Sequence, residues 1–112
     1  MALEFVEKLR QRFKGQLLSA VLFGSRARGE AEPDSDMDVL LVVSECNPEL
    51  RKEIRHLAVE LWLEHDIYLS TRVYSQSHWH KLEALQTLLY RNIRRDGIDL
   101  LDLSPALRNF ER

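Results

Sequence analysis

Residues 21–43, VLFGSRARGEAEPDSDMDVLLVV, constrain the fold of this chain more than any other stretch. An apolar run ends at Gly24-Ser25, and after ten intervening residues Asp36-Met37-Asp38 opens a second apolar run that continues to Val43. Both runs have the length of β-strands, and the Gly-, Pro-, Asp- and Ser-containing segment between them has the composition of a loop. The stretch therefore predicts two consecutive strands, the second buried on both faces in the centre of a sheet.

Two aspartates open the second strand and lie two positions apart. Because strand side chains alternate between faces, Asp36 and Asp38 are expected on one face, about 6–7 Å apart along the strand. Paired carboxylates suit a hard divalent cation, which takes oxygen ligands and keeps waters or substrate phosphates in its other positions. The alternative is that they only solvate a strand end. Two poor strand formers on one face of a buried strand favour the functional interpretation.

The turn before this pair has the features of an anion site. Gly24 allows a ligand to approach the backbone, and a short helix predicted over residues 25–29 would offer free N–H groups to an anion. We interpret Gly24 and Ser25 as a phosphate-binding turn, with Arg26 and Arg28 as candidate charges for a triphosphate. The alternative is that Gly24-Ser25 only caps a helix.

Gly24-Ser25 followed at this spacing by Asp36-Met37-Asp38 resembles the signature of the DNA polymerase β-like nucleotidyltransferase superfamily. The wider context is similar to its smallest branch, the minimal nucleotidyltransferases (MNT), which are commonly antitoxins paired with a helical HEPN-type toxin. IYLSTRVYS and LYRNIRRDGIDL resemble the third strand and closing helix of that branch, so the resemblance covers most of the chain. It implies an α/β (α+β) fold of polymerase β-like type, with a small mixed β-sheet flanked by helices.

The resemblance also implies an activity and a partner. The activity is metal-dependent transfer of AMP from ATP to a tyrosine hydroxyl of a HEPN-type toxin, which silences the toxin and makes the chain an antitoxin. Asp36 and Asp38 would hold two Mg²⁺ ions, and shared carboxylates of this kind can stabilise both the attacking and the leaving oxygen. A hetero-oligomer with the toxin is a possible assembly.

A third carboxylate is usual in the superfamily, on a neighbouring strand, where it binds one metal ion and can accept the proton of the attacking hydroxyl. Asp66, the only acid of the third strand predicted over residues 66–74, is the candidate for this catalytic and metal-binding role. Ser70 lies four residues on, on the same predicted face. By similarity of the surrounding pattern, Ser70 is the alternative occupant of that place, and Asp66 would then be a strand cap.

The whole chain bounds the remaining possibilities. With 112 residues it is expected to form a single domain, residues 1–112, with residues 102–112 as a frayed tail. The 16 basic and 18 acidic residues nearly cancel, so direct nucleic-acid binding is not expected. One cysteine and no apolar run long enough to span a membrane predict a cytoplasmic protein.

The other elements follow from periodicity and capping signals. Helices are predicted over the first turns of the chain up to Gly15, after Asn47-Pro48, and from Ser75 or Ser77 to Asp96-Gly97. Strands are predicted over residues 17–23 and 36–44, with a short edge strand over residues 98–101.

Two rival functions remain open. One is a small-molecule nucleotidyltransferase of the aminoglycoside type. The other is a non-catalytic antitoxin that neutralises the toxin by contact alone, which is the expected function if the site has no third carboxylate.

Overall fold

The computed structural model describes residues 1–30 and 36–103. Their elements, in chain order, are α1 (Ala2–Arg12), β1 (Leu17–Phe23), β2 (Met37–Val43), α2 (Pro48–His65), β3 (Leu69–Ser75), α3 (Gln76–Ala84), α4 (Leu88–Asp96), β4 (Ile98–Asp99) and α5 (Leu100–Leu103).

These strands form one mixed sheet in the order β3-β2-β1-β4. β1 is antiparallel to both of its neighbours, whereas β3 runs parallel to β2. The predicted fold class, a small mixed sheet flanked by helices, is confirmed. The prediction that the second strand is central and buried on both faces is also confirmed, since residues 39–43 are all buried.

Alternate residues of β2 contribute to two separate cores, one on each face of the sheet. Val39, Leu41 and Val43 pack with the buried faces of α1 and α2 in the larger cluster. Leu40 and Val42 pack with Ile93 of α4, and partly buried Trp79 of α3 lies against them. Asp38 shares the strand face of Leu40 and Val42, so its side chain belongs to the α3 and α4 side.

The start of α2 and the bounds of β1 are both as predicted from local sequence signals. Asn47 accepts a hydrogen bond from the backbone N–H of Leu50 at 2.8 Å, and Pro48 occupies the first turn of α2, as expected. β1 has its predicted bounds. The short edge strand at residue 98 is also present, although it ends at Asp99.

Two helix predictions are wrong. Residues 25–29 form hydrogen-bonded turns and no helix. The helix predicted up to Asp96-Gly97 is two helices, because Gln86 has a left-handed φ of 50° and the Thr87 hydroxyl accepts from the Tyr90 N–H to start α4. The helical spacing of apolar residues continues across this short break, so the spacing alone predicts one uninterrupted helix.

Part of the predicted loop and tail lies outside the described residues, namely residues 31–35 and 104–112. Within the described ranges, no helix combines the length and apolar composition of a membrane span.

Candidate active site

The Gly-Ser turn and the aspartate pair meet at one end of the β1–β2 hairpin. Phe23, the last residue of β1, is the register partner of Asp38. Gly24 follows with a φ of +76°, and a Cβ atom built there would collide with Oδ2 of Asp38. Glycine is required on both counts, since other residues disfavour this φ and carry the colliding atom. The structure therefore brings two of the predicted site residues into direct contact.

The turn after Gly24 is closed by its own backbone. The Arg28 N–H donates to the Gly24 carbonyl at 3.3 Å, the Gly29 N–H to Arg26 at 3.3 Å, and the Glu30 N–H to Ser25 at 2.9 Å. The N–H groups of Gly24 and Ser25 take no part in these three bonds. Amides at a tight turn can bind an anion without a helix behind them, so the predicted anion site does not depend on the helix that the structure lacks.

The two candidate arginines of the turn differ in their surroundings. Arg28 is exposed and its Nε donates to Glu30 Oε2 at 3.1 Å. Its positive charge also helps to lower the pKa of Asp96, after the larger effect of the hydrogen bond from Arg95. Arg26 is half-buried. Their predicted role in binding a triphosphate stays a prediction.

The surroundings of Asp38 raise its pKa above the ordinary value of an aspartate. Its partial burial raises its pKa first, and the negative charge of Asp36 raises it further. The positive charge of Arg72 and a hydrogen bond from Ser70 oppose this shift. Asp36 is close enough for its charge to act on Asp38. β2 begins at Met37, one residue later than predicted, so Asp36 precedes the strand, and the placement of both carboxylates on one strand face stays a prediction.

The neighbouring parallel strand presents Ser70 to Asp38. The two residues are register partners in the β2–β3 pair. Asp66 is not in this strand, because β3 begins at Leu69. It is instead the exposed C-cap of α2, with a left-handed φ of 58°, a conformation that aspartate tolerates better than most residues. The predicted strand position of Asp66 is therefore wrong, and its role as a ligand stays a prediction.

Arg72 is a residue of this site that the sequence analysis did not single out. It follows Ser70 by two positions and so lies on the same face of β3 as Asp38 on β2. Alternation along the third strand predicts this placement, since positions 70 and 72 lie on the same face.

The donor set fits a hard divalent cation. Asp36 is exposed and Asp38 is partly buried, and both offer carboxylate oxygens. A bound cation would relieve the repulsion that the charge of Asp36 exerts on Asp38. Another group of possible ligands, Glu4, Glu64 and His65, lies where α1 and α2 meet on the opposite face of the sheet. His65 Nε2 is 2.9 Å from Glu4 Oε1, so an ordinary hydrogen bond explains that group.

Sequence comparison identifies relatives over most of the chain. The model of the family described as "Nucleotidyltransferase domain" matches residues 3–97. A Methanocaldococcus jannaschii protein named "Putative protein adenylyltransferase MJ0604" is 28% identical over 94 residues, which cover 84% of this chain and 88% of the relative. A second protein of that organism with the same kind of name is 36% identical over 76 residues, covering 66% of this chain and 76% of the relative. A third is 39% identical over 71 residues, 60% of this chain and 48% of that relative, so the chain spans about half its length.

Solved structures share the fold. A toxin–antitoxin crystal structure with AMP-PNP aligns with a TM-score of 0.58 at 22% identity, covering 89% of this chain and 73% of the other. A structure of a tri-AMPylated Shewanella oneidensis HEPN toxin in complex with MNT antitoxin aligns with a TM-score of 0.50 at 20% identity, covering 88% of this chain and 68% of the other. The similar architecture agrees with the family match, and this chain therefore belongs to the nucleotidyltransferase domain family.

Proposed function

We propose that this chain is a metal-dependent protein adenylyltransferase that transfers AMP from ATP to a tyrosine hydroxyl of a HEPN-type toxin, and that it acts as the antitoxin. The contact between the Gly24 turn and the Asp38 carboxylate carries the proposal, because it joins a phosphate-binding turn to a metal-binding acid. The names of the curated relatives support a protein acceptor. A structural neighbour that contains an AMPylated HEPN toxin supports the choice of partner.

Each residue of the site has a definite task in this reaction. The Ser25 hydroxyl and the N–H groups of the Gly24 turn bind phosphate oxygens, and Arg26 and Arg28 add positive charge beside them. Asp36 and Asp38 would hold Mg²⁺, with two ions as the resemblance implies. Bound Mg²⁺ neutralises charge on the phosphates. Positioning and charge neutralisation dominate phosphoryl-type transfer, so a small site of this composition suffices.

The transfer itself balances without a redox step. The tyrosine oxygen forms a bond to the α-phosphorus of ATP, and the bond from that phosphorus to the oxygen bridging to the β-phosphorus breaks. Pyrophosphate leaves with the bonding electrons, and the phenolic proton passes to water. The product is a tyrosine–AMP phosphodiester on the acceptor.

Mass spectrometry of the acceptor tests the proposal. The chain, ATP and MgCl₂ are mixed with a HEPN-type toxin in a complex shown to form, and the toxin is weighed. The wild type is expected to add AMP, whereas Asp36→Asn with Asp38→Asn is expected to lose at least about 100-fold in rate, since both metal-binding charges are gone. Glu45→Gln with Glu60→Gln removes the same charge from exposed positions and should retain activity. An unmodified toxin in the wild-type complex would contradict the proposal.

A second candidate is a non-catalytic antitoxin, which the pairing of Ser70 with Asp38 favours because β3 supplies no carboxylate at that position. The same double variant separates the two functions in cells. If Asp36→Asn with Asp38→Asn protects cells from the toxin as well as the wild type does, then contact alone is sufficient.

A further inference from the structure

β3 lies at the end of the sheet and pairs on one side only, with β2. The Met37 N–H donates to the Tyr68 carbonyl at 2.9 Å, so position 68 hydrogen-bonds toward β2. Because backbone groups alternate along a strand, Thr71 and Val73 point theirs to the free side. The Arg51 guanidinium, which donates to the Val73 carbonyl at 3.4 Å, agrees with this assignment. An edge of this kind can accept an extended segment as an added strand.

Positive charge surrounds this edge on both faces of the sheet. Arg51 and Arg55 of α2 line a cavity of about 250 Å³ beside the strand, together with Thr71 and Val73. Arg72 lies on the opposite face, toward Asp38. Among the residues that the structure describes, no carboxylate forms an ion pair with Arg51 or Arg55, whereas the charge of Arg72 already acts on Asp38.

The positive charge of these arginines determines which kind of segment can bind at the edge of β3. A second copy paired through its own β3 would bring the same arginines together, and like charges across an interface are costly. An added strand with acidic side chains would instead neutralise them. Alternation along that strand means that residues facing Arg51 and Arg55 flank a residue that faces the Asp38 side.

The spacing of strands selects the residue that faces Asp38. Neighbouring strands are about 4.8 Å apart, so a residue of the added strand opposite Ser70 lies roughly 10 Å from Asp38. A tyrosine side chain spans most of this distance, whereas serine and threonine are too short. Ser70 is small, so an aromatic ring can cross above it toward the Asp38 carboxylate.

We infer that the free edge of β3 binds an extended acidic segment of the acceptor protein as an added strand, with a tyrosine opposite Ser70 and acidic residues directly before and after that tyrosine. The inference rests on the proposed function for the chemistry that follows docking. The docking itself can be measured without that chemistry.

Two synthetic peptides test the inference, each with a single tyrosine and differing only in whether glutamates or lysines flank it. Binding is measured by fluorescence anisotropy without nucleotide, and AMP transfer by mass spectrometry with ATP and MgCl₂. The wild type is expected to bind the glutamate peptide at least about tenfold more tightly than the lysine peptide. Arg51→Glu with Arg55→Glu should lose this preference and favour the lysine peptide. Lys14→Glu with Lys52→Glu, which makes the same change of net charge on exposed residues elsewhere, should behave as wild type.

A third peptide tests strand addition separately from charge. It carries the glutamate sequence with the backbone N–H groups next to the tyrosine methylated, which removes the donors that would pair with β3. Its binding is expected to fall at least about tenfold. Undiminished binding would overturn the added strand.

The remaining outcomes separate this inference from the proposed function. If the wild type transfers AMP to the toxin but binds both peptides equally, and Arg51→Glu with Arg55→Glu changes nothing, the docking edge is overturned and the proposed function stands. Charge-selective peptide binding without AMP transfer to any acceptor would support the edge and contradict the proposed function. If a single-stranded oligonucleotide binds through Arg51 and Arg55 and neither peptide binds, the arginines serve nucleic acid and the inference is overturned.

Discussion

The Asp38 carboxylate lies so close to the backbone of Gly24 that a Cβ atom at position 24 would collide with its Oδ2 atom. The antiparallel hairpin causes this contact, because the register pairs Phe23 at the end of β1 with Asp38 at the start of β2. The turn that follows β1 must then pass beside the first acid of β2. Two motifs separated by ten residues of sequence become one surface.

Gly24→Ala is expected to disrupt the site through this contact. Alanine at a positive φ costs about 1–2 kcal/mol of stability, and its Cβ also displaces the Asp38 carboxylate. We expect AMP transfer to fall at least about tenfold. Gly29→Ala is the matched control, since Gly29 has a φ of +74° and nothing within 4 Å of its Cβ position. It should show a similar loss of melting temperature with nearly full activity, and equal activity losses in both variants would contradict the account.

Asp38→Asn is expected to stabilise the metal-free protein at neutral pH. Burial and the charge of Asp36 raise the pKa of Asp38, so the folded state holds this proton more tightly than the unfolded chain does. By linkage, the carboxyl favours folding below the ordinary aspartate pKa and loses that contribution as pH rises through the raised value.

Melting temperatures measured in EDTA, from below the ordinary aspartate pKa up to neutral pH, test the prediction. Asp38→Asn should melt above the wild type at neutral pH and converge with it in acid, whereas Glu45→Gln should follow the wild type throughout. Added MgCl₂ should raise the melting temperature of the wild type alone, because binding to the folded state stabilises it. A wild type that is more stable than Asp38→Asn in EDTA at neutral pH would refute the assignment.

Ser70→Asp tests the place of the third carboxylate. Position 70 is the register partner of Asp38, so a third acid there would add an oxygen ligand and further negative charge. We expect Mg²⁺ affinity in the presence of ATP to rise by about tenfold, and the melting temperature in EDTA to fall. Isothermal titration calorimetry measures the affinity. Ser70→Asn is the control, because asparagine is similar in size to aspartate and carries no charge. An equal change of Mg²⁺ affinity in both variants would show that charge at this position is irrelevant.

Local signals in the sequence were sufficient for much of the fold and for the core of the site. The Asn47-Pro48 cap predicts the start of α2, and the short separation of Asp36 and Asp38 in the sequence predicts that their charges interact, as the raised pKa of Asp38 shows. Both depend on residues next to each other in the chain. The contact between Gly24 and Asp38 depends on the register of the β1–β2 hairpin, which pairs residues far apart in the sequence and which no local pattern specifies.

The features that the sequence did not predict depend on strand pairing between distant residues and on a short break between two helices. The parallel pairing of β2 with β3 makes Ser70 and Arg72 neighbours of Asp38, and no local pattern specifies that register. The break before α4 depends on the left-handed Gln86 and on the Thr87 cap, and the apolar period runs on across it. The sequence predicts that the third strand begins at Asp66, whereas Asp66 is the C-cap of α2.

Asp66 allows the last test, because its position separates a capping role from a metal-binding one. It is exposed at the C-cap of α2, three residues before β3, and it does not contribute to the pKa shift of Asp38. We expect Asp66→Asn to retain AMP transfer within about twofold and stability within about 0.5 kcal/mol, since asparagine also tolerates a left-handed φ. Asp66→Gly should be as stable or more stable, because glycine suits this conformation best. Mass spectrometry of the acceptor and thermal melting check both variants, and a loss of activity in Asp66→Asn without loss of stability would assign Asp66 to the metal site.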